Sequence, residues 1–221
     1  MNIDQKEDRL DHFLGHIALL GDSIFDNGIY VPGGPAVLGQ LRSLLPQGWS
    51  TSLQALDGAI TSDVRTQLSQ LPAESTHLVV SCGGNDALRH LSVLKEPAER
   101  VFDGLARFAG IREEFARSYQ DMLGAVIQTG RDVTVCTVYD RVPDLEPAAQ
   151  AALAMFNELI LREATANRIP LIDLRLVCNE RLDYSELSPI EPSVQGGAKI
   201  ASAICNCVLG GASGATTAVY T

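Results

Sequence analysis

Five short apolar runs punctuate the chain, at residues 16–20 (HIALL), 50–56 (STSLQAL), 77–82 (HLVVSC), 132–139 (DVTVCTVY) and 169–175 (IPLIDLR). Aliphatic and β-branched runs of this length read as strands buried on both faces. Between them, apolar positions recur at helical spacing over about 35–45, 61–71, 97–129 and 146–167, and once more at 195–209 after the last strand. TSDV at 61–64 brings cap-type residues to the start of the second helix, and Gly-Gly pairs at 33–34 and 196–197 mark turns. Strand and helix alternate, which predicts crossover connections, a sheet of about five parallel strands and helices on both of its faces. The chain therefore reads as one three-layer α/β domain over 16–209. An N-terminal extension (1–15) precedes it and a Gly-, Ala- and Thr-rich tail (210–221), expected to fray, follows.

Length and composition fit that picture: 221 residues with 46% hydrophobic content can close a single core. A formal net charge of -10 with no run of Lys and Arg argues against nucleic acid or an anionic membrane as partner. The first fifteen residues alternate acid and base without an apolar segment, and no later stretch is long enough to span a bilayer, so the expectation is a soluble, cytoplasmic protein. Five cysteines (Cys82, Cys136, Cys178, Cys205 and Cys207) are an odd number, three of them in apolar segments. That suits reduced core thiols better than disulfides, and Cys205-Asn206-Cys207 reads as helix filler rather than a metal site. No phosphate-binding glycine motif follows a strand, so neither nucleotide nor other cofactor is implied; nothing in the sequence indicates a homo-oligomer, although one is possible.

In a parallel sheet, ligands sit at the carboxyl ends of the strands. Three loops converge there: GDSIFDN (21–27) after the first strand, DGAIT (57–61) after the second and GGNDA (83–87) after the third. They carry Asp22, Ser23, Gly58, Asn85 and Asp86. A nucleophilic serine needs backbone N–H groups and a neutral amide aimed at the developing oxyanion, and Ser23, Gly58 and Asn85 could supply that set. Gly, Asp, Ser and Asn also make ordinary turns and caps, so each loop alone reads equally as a connection; three in succession favour a site.

These blocks resemble those of the SGNH hydrolase, or GDSL esterase/lipase, superfamily, whose fold is a flavodoxin-like three-layer sandwich. GDSIFDN is similar to its first block, with Ser23 at the nucleophile position; DGAIT is similar to its second, with Gly58 at the oxyanion glycine; GGND is similar to its third, with Asn85 at the oxyanion asparagine. SPIEPSVQGGAKIA (188–201) resembles the last block, usually Asp-x-x-His-Pro-Ser, and the likeness runs from about 16 to 205. It implies a serine esterase acting on a small or medium acyl or acetyl ester, a small-molecule substrate. The departure is chemical. Ser188 stands where the family has its triad Asp, Glu191 stands where it has its catalytic His, and the only histidines are His12, His16, His77 and His90.

The sequence leaves several candidates for the base. Glu191 would face Ser23 if the last loop keeps its course; a carboxylate starts with a deficit of roughly 3 kcal/mol in proton affinity against imidazole, which burial can offset. Ser188 could orient it through its hydroxyl. Alternatively Glu191 makes only a structural hydrogen bond. His90 follows Asn85 by five residues and reads as a solvent-facing residue unless its loop turns back. His16 and His77 begin strands, at the wrong end of the sheet; Asp26, Asp86 and Asp22 sit beside turns, and Asp183 lies in the last loop. The long stretch at about 86–130 could cover the site with an apolar face, or merely pack on the sheet. Two further readings remain: a catalytically silent binding protein that keeps the pocket, and a flavodoxin-like domain with an unrelated ligand.

Overall fold

The structure, a computed structural model, describes residues 13–210. His12, nearly all of the extension at 1–15 and the tail beyond Gly210 lie outside the described residues. In chain order the elements are β1 (Gly15–Gly21), α1 (Val37–Leu44), β2 (Trp49–Leu53), α2 (Val64–Leu68), β3 (His77–Ser81), α3 (Gly84–Leu88), α4 (Val101–Ile127), β4 (Asp132–Cys136), α5 (Pro147–Ala166), β5 (Leu171–Ile172), α6 (Leu174–Val177) and α7 (Val194–Leu209). Short 3₁₀ turns lie at Gly28–Tyr30, Thr61–Asp63, Leu91–Lys95 and Arg181–Asp183.

All strand pairs are parallel, in the order β2-β1-β3-β4-β5. β1 is central and buried along its whole length. Alternate residues point to opposite faces, so its uninterrupted apolar run feeds two cores. Ile17 and Leu19 join Val37, Leu41, Leu174, Ile200 and Ile204 beneath α1, α6 and α7. Ala18 and Leu20 join Val64, Phe115, Tyr119, Leu123, Phe156 and Ile160 beneath α2, α4 and α5. The three-layer α/β architecture expected from the alternation is the observed one.

Two short helices, α3 and α6, have no counterpart in the expected elements, and Gly196 and Gly197 lie inside α7 rather than at a turn; the other differences lie at element ends. The second strand covers 49–53 rather than 50–56, because the N–H groups of Gln54 and Ala55 both turn onto the Leu19 carbonyl. β4 stops at Cys136, where the Asn157 side-chain amide takes over both backbone groups of Val138 at 2.8 Å. The last strand shrinks from the expected 169–175 to two residues: Pro170 cannot donate to the ladder and Asp173 caps α6 by accepting the Arg175 N–H. Among the described residues no helix is long and apolar enough to cross a membrane. Cys82, Cys136 and Cys178 are buried free thiols, while Cys207 is exposed on α7.

Candidate active site

The first loop is a tight turn that sets Ser23 against a cleft. Gly21 closes β1 with φ +119, and a Cβ there would collide with the Ser81 carbonyl on β3, so only glycine fits. The Gln67 side-chain amide fixes this residue by pairing with both of its backbone groups at 2.8 Å. The Asp22 carbonyl accepts the N–H groups of Phe25 and Asp26 at 3.1 Å, and its carboxylate accepts the Ile24 N–H at 3.1 Å. The intervening N–H of Ser23 finds no partner among the described residues. Asp22 is buried, which pushes its pKa up to about 8, against the pull of the Ile24 N–H. Burial thus favours the protonated form of Asp22 and reduces the negative charge beside the serine.

The other two loops are tied to each other. Asn85 Nδ2 donates to the Ala59 carbonyl at 3.0 Å, and Asp86 accepts both the N–H of Thr61, at 3.1 Å, and its hydroxyl, at 2.7 Å. Asp86 is thus a brace between loops, its pKa raised by burial and moderated by the Thr61 donors. Gly58 sits in the exposed turn at φ +78, a conformation that favours glycine, and its N–H is also unpaired among the described residues. Asp26 holds the same turn by accepting the Asp57 N–H at 3.0 Å.

Glu191 arrives from the far end of the chain. The Ser23 hydroxyl donates to Glu191 Oε1 at 3.0 Å, inside a site where the two residues are 6% and 4% exposed. The Glu191 backbone is pinned on both sides: its N–H donates to the Ser188 carbonyl at 3.0 Å and its carbonyl accepts the Ser185 N–H at 2.8 Å. Asn27, fully buried, donates to the Pro192 carbonyl and accepts the Val37 N–H; Tyr139 donates to the Ile190 carbonyl at 2.6 Å. Burial moves the Glu191 pKa to about 7, partly opposed by the Ser23 hydroxyl and reinforced by Asp57. That is imidazole's ordinary range, so the site makes up the deficit a carboxylate starts with. Its second oxygen, Oε2, is buried without a hydrogen-bond partner among the described residues.

Two sequence expectations are corrected here. Ser188 does not orient the carboxylate with its hydroxyl; it meets Glu191 only through its main-chain carbonyl, because the intervening Pro189 and Ile190 form a tight turn. His90 does turn toward the cleft, at the start of the 3₁₀ turn Leu91–Lys95, yet makes no hydrogen bond to Ser23. His16 is buried at the opposite end of the sheet between the hydroxyls of Ser50 and Ser52, and Asp183 is held by Lys199 at 2.8 Å. Gln67, Asn27 and Tyr139 have no counterpart in the sequence reading. Their signal would have been an amide or hydroxyl at an otherwise apolar position.

A cleft of about 110 Å³ opens beside Ser23, floored by Asp22, Asn85 and Glu191. The stretch at 86–130 divides its work: Leu88, Leu91, Leu94 and Phe108 line the cleft, while Phe115, Tyr119, Met122 and Leu123 of α4 pack on the sheet. Among the described residues no group of three or more His, Cys, Asp and Glu could hold a metal ion.

Residues 19–199 match the model of the GDSL-like lipase/acylhydrolase family. The chain belongs to that family. It is accordingly an enzyme, a hydrolase of the GDSL type. Its fold is shared with an extracellular lipase from Streptomyces rimosus (18% identity, TM-score 0.67, covering 88% of this chain and 100% of that one). A lipase from a goat rumen metagenome (20%, 0.68, 88% and 97%) and a phospholipase A1 from Streptomyces albidoflavus (17%, 0.63, 88% and 99%) superpose similarly. At these identities the likeness speaks for the GDSL fold. No curated protein matches the sequence significantly.

Proposed function

We propose that this GDSL-family hydrolase cleaves a small or medium acyl ester with Ser23 as nucleophile and Glu191 as its base. The observation that carries the reading is the buried 3.0 Å hydrogen bond from the Ser23 hydroxyl to Glu191 Oε1. A base must lie within such reach of the proton it removes, at a pKa near the working pH, and Glu191 at about 7 meets both conditions. As Ser23 Oγ attacks the ester carbonyl, its proton passes to Oε1. The new oxyanion faces the unpaired N–H groups of Ser23 and Gly58 and the second amide hydrogen of Asn85. Collapse of the tetrahedral species expels the alcohol, which takes the proton from Glu191, and a water attacking the acyl-serine repeats the cycle through the same carboxylate.

One observation favours the silent binding protein instead: Oε2 has no partner to orient the carboxylate as Asp orients His in a triad. A fluorophosphonate probe separates the two. Labelling of the parent, abolished in Ser23→Ala and strongly slowed in Glu191→Gln, supports the hydrolytic dyad. A parent that stays unlabelled while remaining folded overturns it.

A further inference from the structure

One wall of the cleft comes from a single helix face. Ala149, Ala152, Leu153 and Phe156 of α5 recur at helical spacing and all line it. Leu88, Leu91, Leu94 and Phe108 line the same cleft. The two sets differ in kind. The α5 wall begins with two alanines one turn apart and ends on Phe156, which is 4% exposed and locked against Phe115 at a ring-centroid distance of 4.7 Å. The other residues are bulkier and come from three elements: Leu88 from α3, Leu91 and Leu94 from the following 3₁₀ turn, and Phe108 from α4. Positions 149 and 152 carry no more than a methyl group, so this face intrudes least where the two alanines lie.

The charge of the lining is equally one-sided. Its ionisable members are Asp22, His90, Tyr139 and Glu191, with no Lys or Arg among them. From outside the lining, Asp57 acts on Glu191 and Asp86 on Asp22, and the one cation felt there among the described residues, Arg89, acts on Asp86. A substrate carboxylate or phosphate placed in the slot would have no counter-ion and would face the carboxylate that must take the serine proton.

On these grounds we infer that the α5 face is the gauge of acyl length: it admits an uncharged, unbranched acyl group of about four to six carbons, with Ala152 and Leu153 as the specificity-determining residues. The size follows from the volume. A void of roughly 150 Å³ holds one six-carbon benzene ring. On that scale the 110 Å³ here takes about four carbons beyond the carbonyl. This inference rests on the Ser23–Glu191 reading for its chemistry and on the α5 wall for its selectivity.

The test compares kcat/KM for p-nitrophenyl acetate, butyrate, hexanoate, decanoate and hemisuccinate. The parent is expected to prefer butyrate or hexanoate over both acetate and decanoate by at least about tenfold, the scale of one or two methylenes in a fitted pocket. It is expected to disfavour the hemisuccinate against butyrate by a similar factor. Ala152→Phe fills the slot and should lower the hexanoate-to-acetate ratio at least about tenfold; Leu153→Ala opens it and should raise the decanoate-to-hexanoate ratio. Using ratios within one protein removes any loss of folded enzyme, and the two variants shift selectivity in opposite directions. A flat profile in the parent, ratios unmoved in both variants, or equal use of hemisuccinate would overturn the gauge while leaving the serine chemistry standing. If no ester is turned over, the chemistry fails and the gauge is read separately, by calorimetric binding of N-methylhexanamide to the same proteins. Binding to the parent that is weakened at least about tenfold by Ala152→Phe sustains it, and equal binding sinks it.

Discussion

Replacing Glu191 by Gln should make the protein more stable and less active at once, and both effects should depend on pH in a way fixed by its burial. Gln keeps an oxygen for the Ser23 hydroxyl but carries no charge. In the parent, the carboxyl has an ordinary pKa of 4.5 and a folded value of about 7. A raised carboxyl binds its proton more tightly when folded, so its contribution to stability is complete below 4.5 and lost as pH rises through 7. The interval from 4.5 to about 7, at 1.36 kcal/mol per pH unit, amounts to roughly 3 kcal/mol. Glu191→Gln escapes that loss. The amide nitrogen that replaces the unpartnered Oε2 inherits its lack of a partner, so the observed gain should lie between about 1 and 3 kcal/mol. Urea unfolding followed through the single tryptophan, Trp49, should show this gain at pH 8.5, and the gain should fall by roughly 3 kcal/mol on going to pH 4.5. Over the same range, parent turnover should fall about tenfold for each pH unit below 7, leaving about 1% at pH 5. Turnover of Glu191→Gln should be lower than the parent's by about 10²- to 10⁴-fold at pH 8. A stability gain of equal size at both pH values, or an acid limb near 4.5, would refute the account of Glu191 as a carboxyl tuned by burial.

Asn85→Ala should lower kcat by about 10²- to 10³-fold through loss of an oxyanion donor, with a small additional loosening of the loop at Ala59 that a thermal melt will register. Ser188→Ala should stay within about twofold of the parent in an ester assay, since only the main-chain carbonyl of Ser188 is used. The double change Ser188→Asp with Glu191→His should give an active enzyme whose acid limb moves to about 6.5, provided the new Asp reaches the ring. His90→Ala should leave the acid limb at about 7, and a displaced limb would transfer the role of base to His90.

The fold was legible because parallel strands buried on both faces leave long apolar runs, and β1 and β3 are read almost to the residue. Strand ends were less so, since β4 and β5 stop where side chains of Asn157, Thr137 and Asp173 replace the ladder, and such contacts span 19 to 37 residues of sequence. At the site, the approach of Ser23 to Glu191 could be expected only through the resemblance of the last block, because composition and spacing are silent about partners 168 residues apart. The polar braces Gln67 and Asn27 escaped for the same reason. The α5 wall escaped for another: its residues look like any helix face that packs on a sheet, and only the geometry shows that the upper turns overhang an opening.

The turn that presents Ser23 is joined to the loop of Glu191 by Asn27 and by the Ser185 hydroxyl on the Tyr30 carbonyl. This seam closes a loop of 165 residues. Closure of so long a loop is entropically costly and comes late, after β1, β3 and β4 have given it a frame. During synthesis, Ser23 leaves the ribosome 168 residues ahead of Glu191, so on the proposed reading a nascent chain carries the nucleophile before its base. On that reading, full reactivity of Ser23 should report on completion of the final segment; because α7 also supplies Ile200 and Ile204 to the core, chains truncated before it should be chemically mute and destabilised as well.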